Sequence, residues 1–379
     1  MSFLFFLLLS SLLIFPADIE QVTEEIVCNH NSSSYSHLKT IPHFYLDLDD
    51  PPETRWYHII KNYSSEINKL ITTIENSLPY FIRRALFDSA AKYFPQIPYE
   101  LHDYGKELIG ISNQTKIHLD KITLYNIFYE IFSLCTSVVA QKEDGQIIHA
   151  RNLDFGLFMN SITPILANLT IDVTVMRNNS VLYRSHTFAG YIGVFSAMKP
   201  KHYVITINQR FSWDGGFIGI YEWLKGNHTA NWVSLLTRDV IESVDDYYQV
   251  LNILSSKPLV APTYYIISGT QKNQGAIITR SRNELLNILR LQETTPNWYI
   301  VETNYDNWKP PLSIDDRRTP AKYCIKEIGQ NKINLTGLLS VLSTKPVLNK
   351  LTIFSSLMSA ERNIFQGYIQ NCSEPCPYL

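Results

Sequence analysis

The sequence predicts an α+β protein in which sheets are stacked between helices. In the first third, apolar residues recur at spacings of three and four, which is typical of amphipathic helices. After Cys135 the pattern changes to short β-prone runs separated by Gly, Asn and Pro. A helical section then divides two groups of strands. This order differs from the strand–helix alternation of a Rossmann-type doubly wound sheet.

The chain up to Leu134 is predicted to be mostly helical. Its expected elements are an irregular polar segment (18–40), an extended piece ending at Pro51-Pro52, a helical pattern from Trp56 to Ile74, and helices at 100–109 and 119–133. Three aspartates (Asp47, Asp49 and Asp50) lack a His or Glu at ligand spacing, so we interpret them as a solvated turn and predict no metal site.

The remainder is predicted to contain strands, then helices, then strands again. The expected strands are Ala167–Met176, Val181–His186, Tyr191–Ala197, Tyr203–Asn208, Thr263–Ser268, Gly275–Thr279, Leu286–Leu291 and Trp298–Glu302. The expected helices are Phe217–Lys225, Asn231–Glu242, Asp245–Leu254, Asp315–Ile328 and Asn334–Leu342, with a mixed segment from Leu351 to Gly367.

Composition excludes some partners. The 379 residues include 33 basic and 35 acidic side chains, so there is no basic field for nucleic acid. No cofactor motif is present either. Frequent aromatic residues suit a large core and leave apolar surface for a lipid-like substrate.

The N-terminus predicts secretion. Residues 1–17 contain an apolar run that is too short for a comfortable transmembrane helix and resembles a signal peptide cut near Ala17. No second apolar run of about 18 residues follows, so we expect a soluble mature protein. Sequons support a glycoprotein surface. They lie at Asn31, Asn62, Asn113, Asn168, Asn178, Asn227, Asn334 and Asn371.

Five cysteines leave one unpaired in an oxidising compartment. Cys372 and Cys376 are close enough in sequence to close a small loop. Cys28 and Cys324 would then form a long-range bridge. Cys135 remains, either as a buried inert residue or as a reactive thiol.

The surroundings of Cys135 favour reactivity. Two Val/Ile-rich runs flank a turn containing Asp144-Gly145, which predicts a β-hairpin. With a two-residue loop, Cys135 lies opposite Asp154, and a slip of one or two residues would bring Arg151 or Asn152 opposite instead. Either register brings a thiol, a guanidinium and a carboxylate to one end of the hairpin.

Cleavage of the Leu134–Cys135 bond would make Cys135 an N-terminal nucleophile. Its own α-amine could then take the thiol proton, so no histidine is required. Arg151 would favour the thiolate, and Asp154 could hold the new ammonium. Asn152 or another amide could polarise a carbonyl as an oxyanion donor. His149 could instead form a papain-like Cys–His pair, but we favour a structural histidine.

Several blocks together resemble the acid ceramidase and N-acylethanolamine-hydrolysing acid amidase family of cysteine N-terminal nucleophile hydrolases. The resemblance extends from about residue 42 to the C-terminus. The blocks are Cys135–Ala140, His149–Gly156, Thr303–Asp306 with Trp308-Lys309, Asp315–Lys322, Ser343–Thr352 and the Cys372…Cys376 ending.

The resemblance implies a fold, a site and a processing event. It implies an αββα sandwich, self-cleavage before Cys135, an α-chain of 18–134 and a β-chain of 135–379 joined by Cys28–Cys324. Cys135 would be the nucleophile, with Arg151 and Asp154 orienting it and balancing its charge. Asn304 would donate a hydrogen bond towards the oxyanion, and Arg317 would help to hold the site.

The implied activity is hydrolysis of the ceramide amide in the lysosome, with secretion as a second destination. An activator protein or an anionic membrane surface would present the lipid. One departure is Gln209, where the family usually has a glutamate, and it could slow cleavage or change its pH optimum. Two alternatives stay open: an N-acylethanolamine or other fatty-amide hydrolase, and a secreted lipid-binding protein without catalysis.

Overall fold

The computed structural model describes residues 26–29, 38–77, 97–127, 133–155, 161–212, 215–294, 296–312 and 314–378. The expected signal segment (1–17) and the sequon at Asn31 lie outside these ranges. The other sequon asparagines are all exposed.

Two sheets are stacked face to face. The first has six strands in the spatial order β1 (Lys39–Thr40), β14 (Ile364–Ile369), β13 (Thr352–Ser359), β4 (Ile147–Phe155), β3 (Ser133–Gln141) and β12 (Tyr299–Glu302). The second has eight, in the order β11 (Leu285–Arg290), β10 (Gly275–Arg280), β9 (Thr263–Ser268), β8 (Tyr203–Gln209), β7 (Ser196–Lys199), β6 (Ser180–Phe188), β5 (Thr170–Arg177) and β2 (His43–Asp47).

Eleven helices are described, and some of them cover the outer faces of the sheets. They are α1 (Tyr57–Ile60), α2 (Ser64–Ser77), α3 (Ile97–Glu100), α4 (Asp103–Thr115), α5 (Leu119–Ile127), α6 (Thr163–Leu169), α7 (Gly216–Leu224), α8 (Val233–Ser243), α9 (Tyr247–Ser256), α10 (Arg318–Ile328) and α11 (Leu335–Leu342). Helices α10 and α11 pack on the first sheet, and α8 and α9 on the second. This arrangement confirms the αββα sandwich. In the described part of the chain, no helix combines the length and apolar character needed to cross a membrane.

Strands β3 and β4 are buried on both faces, and each buries four polar or charged side chains together with its apolar ones. Side chains alternate between the faces of a strand. Cys135 and its neighbour Leu153 belong to the core between the sheets, whereas Val138 and Ala150 belong to the core under α10 and α11. Cys135 therefore faces the second sheet, and Asp154, one position from Leu153, faces the helices.

The first third of the chain is more than a helical segment. It supplies an edge strand to each sheet, since β1 pairs with β14 and β2 pairs in parallel with β5. Helix α4 also carries the buried Glu107, which pairs with Arg55 at 3.0 Å and with Arg238 of α8 at 2.8 Å. This third is thus built into the sandwich.

Some predicted elements differ from the structure. Residues 191–194 were expected in a strand, but they follow a turn at Gly190, whose φ is +82°. Their backbone bonds to distant groups: Ile192 N–H donates to Asn126 Oδ1 and Val194 N–H to Ser234 O. The mixed segment after Leu351 is the β13–β14 hairpin, and Ala167–Leu169 ends a helix.

The two disulfides join Cys28 to Cys324 and Cys372 to Cys376. The first connects the N-terminal segment to α10, 296 residues away along the chain. Cys135 takes part in no disulfide and is fully buried.

Candidate active site

The β3–β4 hairpin has a three-residue loop, so the predicted two-residue register is wrong by one position. Lys142 N–H donates to Gln146 O at 2.9 Å, and Gly145 occupies a left-handed conformation with φ +86°. Glycine in the third loop position is typical of such hairpins. As a result Leu134 is opposite Asp154, Cys135 is opposite Leu153 and Ser137 is opposite Arg151.

Arg151 meets Cys135 diagonally on the inner face of the hairpin. Its Nη2 donates to Cys135 Sγ, and its Nη1 donates to Phe195 O at 2.8 Å and to Ser196 Oγ at 2.6 Å. Both Cys135 and Arg151 are fully buried. A guanidinium held against sulfur stabilises the thiolate relative to the thiol.

Arg317, the residue before α10, lies at the centre of the outer face of the site. It donates to Asp315 through two nitrogens at 2.6 and 2.9 Å, and to Asp154 Oδ2 at 3.0 Å. The same guanidinium donates to Cys135 O at 2.8 Å. Burial alone would lower the pKa of Arg317, but the carboxylates of Asp315 and Asp154 raise it.

Asp154 is linked to the backbone of Cys135 through Arg317. Its other oxygen accepts from Thr352 Oγ1 at 2.6 Å. Burial raises the pKa of Asp154, while Arg317 and Thr352 oppose that shift. The carboxylate thus belongs to an ion cluster on the outer side of Cys135.

Two amides hold the main chain on either side of the Leu134–Cys135 bond. Cys135 N–H donates to Asn304 Oδ1 and Ser133 N–H donates to Gln209 Oε1, each at 2.9 Å. Arg317 Nη2 also donates to Asn304 Oδ1 at 2.8 Å, which fixes the oxygen of this amide towards the nucleophile. Asn304 Nδ2 donates to Gln209 O at 2.8 Å. In the continuous chain, then, Asn304 accepts at the cysteine nitrogen instead of donating to an oxyanion.

Two candidates from the sequence point elsewhere. Asn152 shares the outer face with Asp154, and its Nδ2 donates to Leu342 O at 2.8 Å and Val347 O at 3.0 Å. The expectation that it acts as an oxyanion donor is therefore wrong for this structure. His149 is bonded through both ring nitrogens, to Ser268 Oγ and Thr206 Oγ1 at 3.0 Å each, so it forms no Cys–His pair. Burial, reinforced by Arg151, lowers the pKa of His149 to about 3.

Sequence reasoning missed three supporting residues: Asp315, Thr352 and Ser196. Asp315 was placed in the Asp315–Lys322 block without a role, although its spacing of two from Arg317 permits the bidentate pair. Thr352 is the last residue of the Ser343–Thr352 block, so the family resemblance could have identified it as part of the site. No sequence signal identified Ser196, because β7 belongs to the other sheet and reaches Arg151 only through the stacking of the two sheets.

A narrow apolar cavity lies next to aromatic side chains that pack against Phe195. Its lining includes Leu70, Tyr125, Phe188 and Tyr191, and its volume is only about 10 Å³. The rings of Phe188 and Tyr191 lie 5.5 and 5.4 Å from that of Phe195, whose carbonyl binds Arg151. The first third and the remainder of the chain both contribute to this wall.

Residues 135–372 match the family model of linear amide C–N hydrolases, choloylglycine hydrolase family. The chain belongs to this family. A second model, for the beta subunit of N-acylethanolamine-hydrolyzing acid amidase, matches residues 39–98. The matched region begins at the buried Cys135.

Named relatives support the same family. The acid ceramidase of Macaca fascicularis is 38% identical over 88% of this chain and 87% of its own length. The acid ceramidase of Homo sapiens is 36% identical over 89% of this chain and 88% of its own. A solved Caenorhabditis elegans N-acylethanolamine-hydrolyzing acid amidase ortholog is 36% identical, with a TM-score of 0.55 over 62% of this chain and all of that chain.

Proposed function

We propose that the protein hydrolyses the amide bond of ceramide, releasing sphingosine and a free fatty acid. The observation that carries the proposal is the near full-length similarity to proteins named acid ceramidase, at 36–38% identity for the two quoted above. It is supported by a buried thiol with a guanidinium at its sulfur. A lipid carrier without catalysis would have no need of this arrangement.

Activation would occur by cleavage of the Leu134–Cys135 bond. Cys135 Sγ attacks the Leu134 carbonyl carbon, the C–N bond breaks, and the cysteine nitrogen takes a proton to become an amine. Water then hydrolyses the thioester, leaving the Leu134 carboxylate and a free thiol. The hydrogen bonds that Ser133 N–H and Cys135 N–H donate to Gln209 and Asn304 support this step, because they fix both sides of the scissile peptide. The family model that starts at Cys135 is a second support.

The liberated α-amine then acts as the base for turnover. It takes the proton of Cys135 Sγ, the thiolate attacks the amide carbon, and a thioester forms while the same proton passes to the departing sphingosine amine. Water, deprotonated by the α-amine, releases the fatty acid and restores the thiol. Asn304 Oδ1 would hold the ammonium form and Arg151 the thiolate, which is supported by their contacts with Cys135 N and Sγ.

Cleavage would produce two chains, 18–134 and 135–379. The Cys28–Cys324 bridge would join them covalently. The pairing of β2 with β5 would hold them together without that bridge. The N-terminal segment would thus remain part of the mature enzyme.

The acyl chain would enter beside Phe188 and Tyr191. The cavity there is lined by apolar side chains but is too narrow for a lipid. Binding would therefore require the wall formed by α2, α5 and the Phe188–Tyr191 turn to move apart. An activator protein or an anionic membrane surface would deliver the lipid.

A lysosomal location, with secretion as a second destination, follows from the same proposal. The exposed asparagines of the described sequons are available for the glycans that direct such transport. Acid-activated cleavage in cells and co-fractionation with lysosomal markers are the expected outcomes.

A fatty-amide hydrolase acting on N-acylethanolamines is the second candidate. It is favoured by the match of residues 39–98 and by the similarity to the C. elegans ortholog. Both substrates share the acyl amide and differ in the amine that leaves. A parallel assay of ceramide and N-acylethanolamine with the purified chain separates the two.

The decisive variant is Cys135→Ala. We expect the wild-type chain to yield a new N-terminus at Cys135 and to hydrolyse ceramide, and the variant to do neither. A variant still cut between residues 134 and 135, or still hydrolysing ceramide, would refute the mechanism. A wild-type chain that stays uncut and inactive at acidic pH would favour the lipid carrier.

A further inference from the structure

Glu302 is a buried carboxyl group that the mechanism does not use. It ends β12, opposite Ser137, two residues before Asn304, and its side chain is inaccessible to solvent. One oxygen accepts from Thr303 N–H at 3.0 Å. Among the described residues, no donor in hydrogen-bond geometry reaches the second oxygen, although the Asn307 amide lies beside it.

The charged groups around Glu302 are committed to other partners. Arg318 donates to the carbonyls of Tyr305, Asp306 and Lys309. Asp306 is held by Arg210 at 2.7 and 3.0 Å and by Tyr264 Oη at 2.9 Å. The titratable and charged groups facing Glu302 are Tyr264 of β9, Asp306 of its own segment, and Arg318 and Lys322 of α10. In the described part of the chain, no cation lies within ion-pairing distance of it.

An ionised carboxylate in this position would be poorly compensated. Burying a charge with one hydrogen bond and no ion pair is strongly unfavourable, whereas the neutral acid carries no such cost. Burial accordingly raises the pKa of Glu302 to about 8, against the opposing effects of Thr303 N–H, Arg318 and the neighbouring Asn307 amide.

The segment that follows Glu302 carries the active-site amide. Asn208 Nδ2 donates to Glu302 O and Thr303 O, each at 3.0 Å, and so ties the start of this segment to β8. The next residue, Asn304, accepts from Cys135 N–H. An ionised Glu302 can be hydrated only if this segment opens to water. That opening would move Asn304 away from Cys135.

We propose that protonated Glu302 is a positioning residue that holds the 303–307 segment, and with it Asn304, against Cys135 in acid and releases it as the pH rises. The catalytic consequence rests on the proposed function, whereas the effect on folding does not. The neutral isostere Glu302→Gln would keep the segment in place at all pH values.

The test compares the full-length wild type with Glu302→Gln and with Glu361→Gln, an exposed control. Between pH 4.5 and 8 the stability that Glu302 confers should decline as the pH rises, because the unfolded carboxyl ionises first. The melting temperature of the wild type should therefore fall relative to that of Glu302→Gln over this range. For both self-cleavage and amide hydrolysis, the ratio of the rate at pH 7 to the rate at pH 5 should be higher in Glu302→Gln than in the wild type and Glu361→Gln.

Hydrogen exchange on the wild type provides a measurement that needs no variant. After correction for intrinsic exchange, the opening constant of the 299–308 backbone should rise with pH, by at most tenfold per pH unit. Unchanged opening, or identical pH dependence of melting in wild type and Glu302→Gln, would overturn the inference. A chain without ceramidase activity at any pH would refute the proposed function and leave these folding comparisons able to decide the role of Glu302.

Discussion

Replacing Gln209 with leucine should slow self-cleavage by a predictable amount. Gln209 Oε1 accepts from Ser133 N–H at 2.9 Å, and Ser133 is fully buried. Leucine leaves that N–H without its acceptor, which costs about 1–3 kcal/mol. If the bond holds the scissile peptide in its reacting geometry, the same free energy is lost in the transition state. Cleavage should then be roughly 5- to 150-fold slower.

The assay is the appearance of the Cys135 N-terminus over time at acidic pH, followed by gel and N-terminal sequencing. Gln330→Leu is the matched control, because Gln330 Nε2 donates to Gln141 O at 3.1 Å, at the other end of β3. Gln209→Glu should cleave at a rate near that of the wild type, since a carboxylate also accepts, but with a new pH dependence. Wild-type cleavage by Gln209→Leu, or equal slowing by Gln330→Leu, would refute the role assigned to Gln209.

Two further predictions concern the interactions that hold the two proposed chains together. Glu107→Gln should lower the free energy of unfolding by about 3–5 kcal/mol, because Arg55 and Arg238 lose their buried carboxylate. Urea unfolding of this variant in the uncut Cys135→Ala background measures the change. A loss below about 1 kcal/mol would contradict the prediction. Reducing the long-range disulfide after cleavage should leave the two chains co-eluting in native size-exclusion chromatography, because β2 remains paired with β5; their separation would show that the disulfide is required.

Local sequence signals predicted the strands well where the boundaries are also local. Strand Thr263–Ser268 was predicted to the residue, since its β-prone run lies directly between Pro262 and Gly269. The strand expected at 191–194 failed because the backbone there is satisfied by Asn126 and Ser234. Those partners lie tens of residues away, and no pattern within the segment reveals them.

For the site, the sequence predicted which residues take part better than it predicted the face of the sheet on which each side chain lies. Composition and turn signals placed Cys135, Arg151 and Asp154 at one hairpin end, but the loop length decides the register. One additional loop residue moves Asp154 to the outer face, where Arg317 connects it to Cys135. Arg317 itself lies 182 residues from Cys135 and was identified only through the family resemblance.

The buried polar network between the sheets gives the fold two opposing responses to acid. His149 is connected to the backbone carbonyl of Glu302 through Thr206, Ser137 and Asn208, by hydrogen bonds of 2.9–3.0 Å. A histidine with a pKa of about 3 when folded and 6.5 when unfolded loses stability as the pH falls from 6.5 towards 3. Between pH 7 and 5 this loss is about 2 kcal/mol, and Glu302 gains about 2–3 kcal/mol over the same interval. Glu302 therefore stabilises in acid the segment that carries Asn304, whereas His149 and the equally buried His186, whose pKa burial also lowers, oppose that gain.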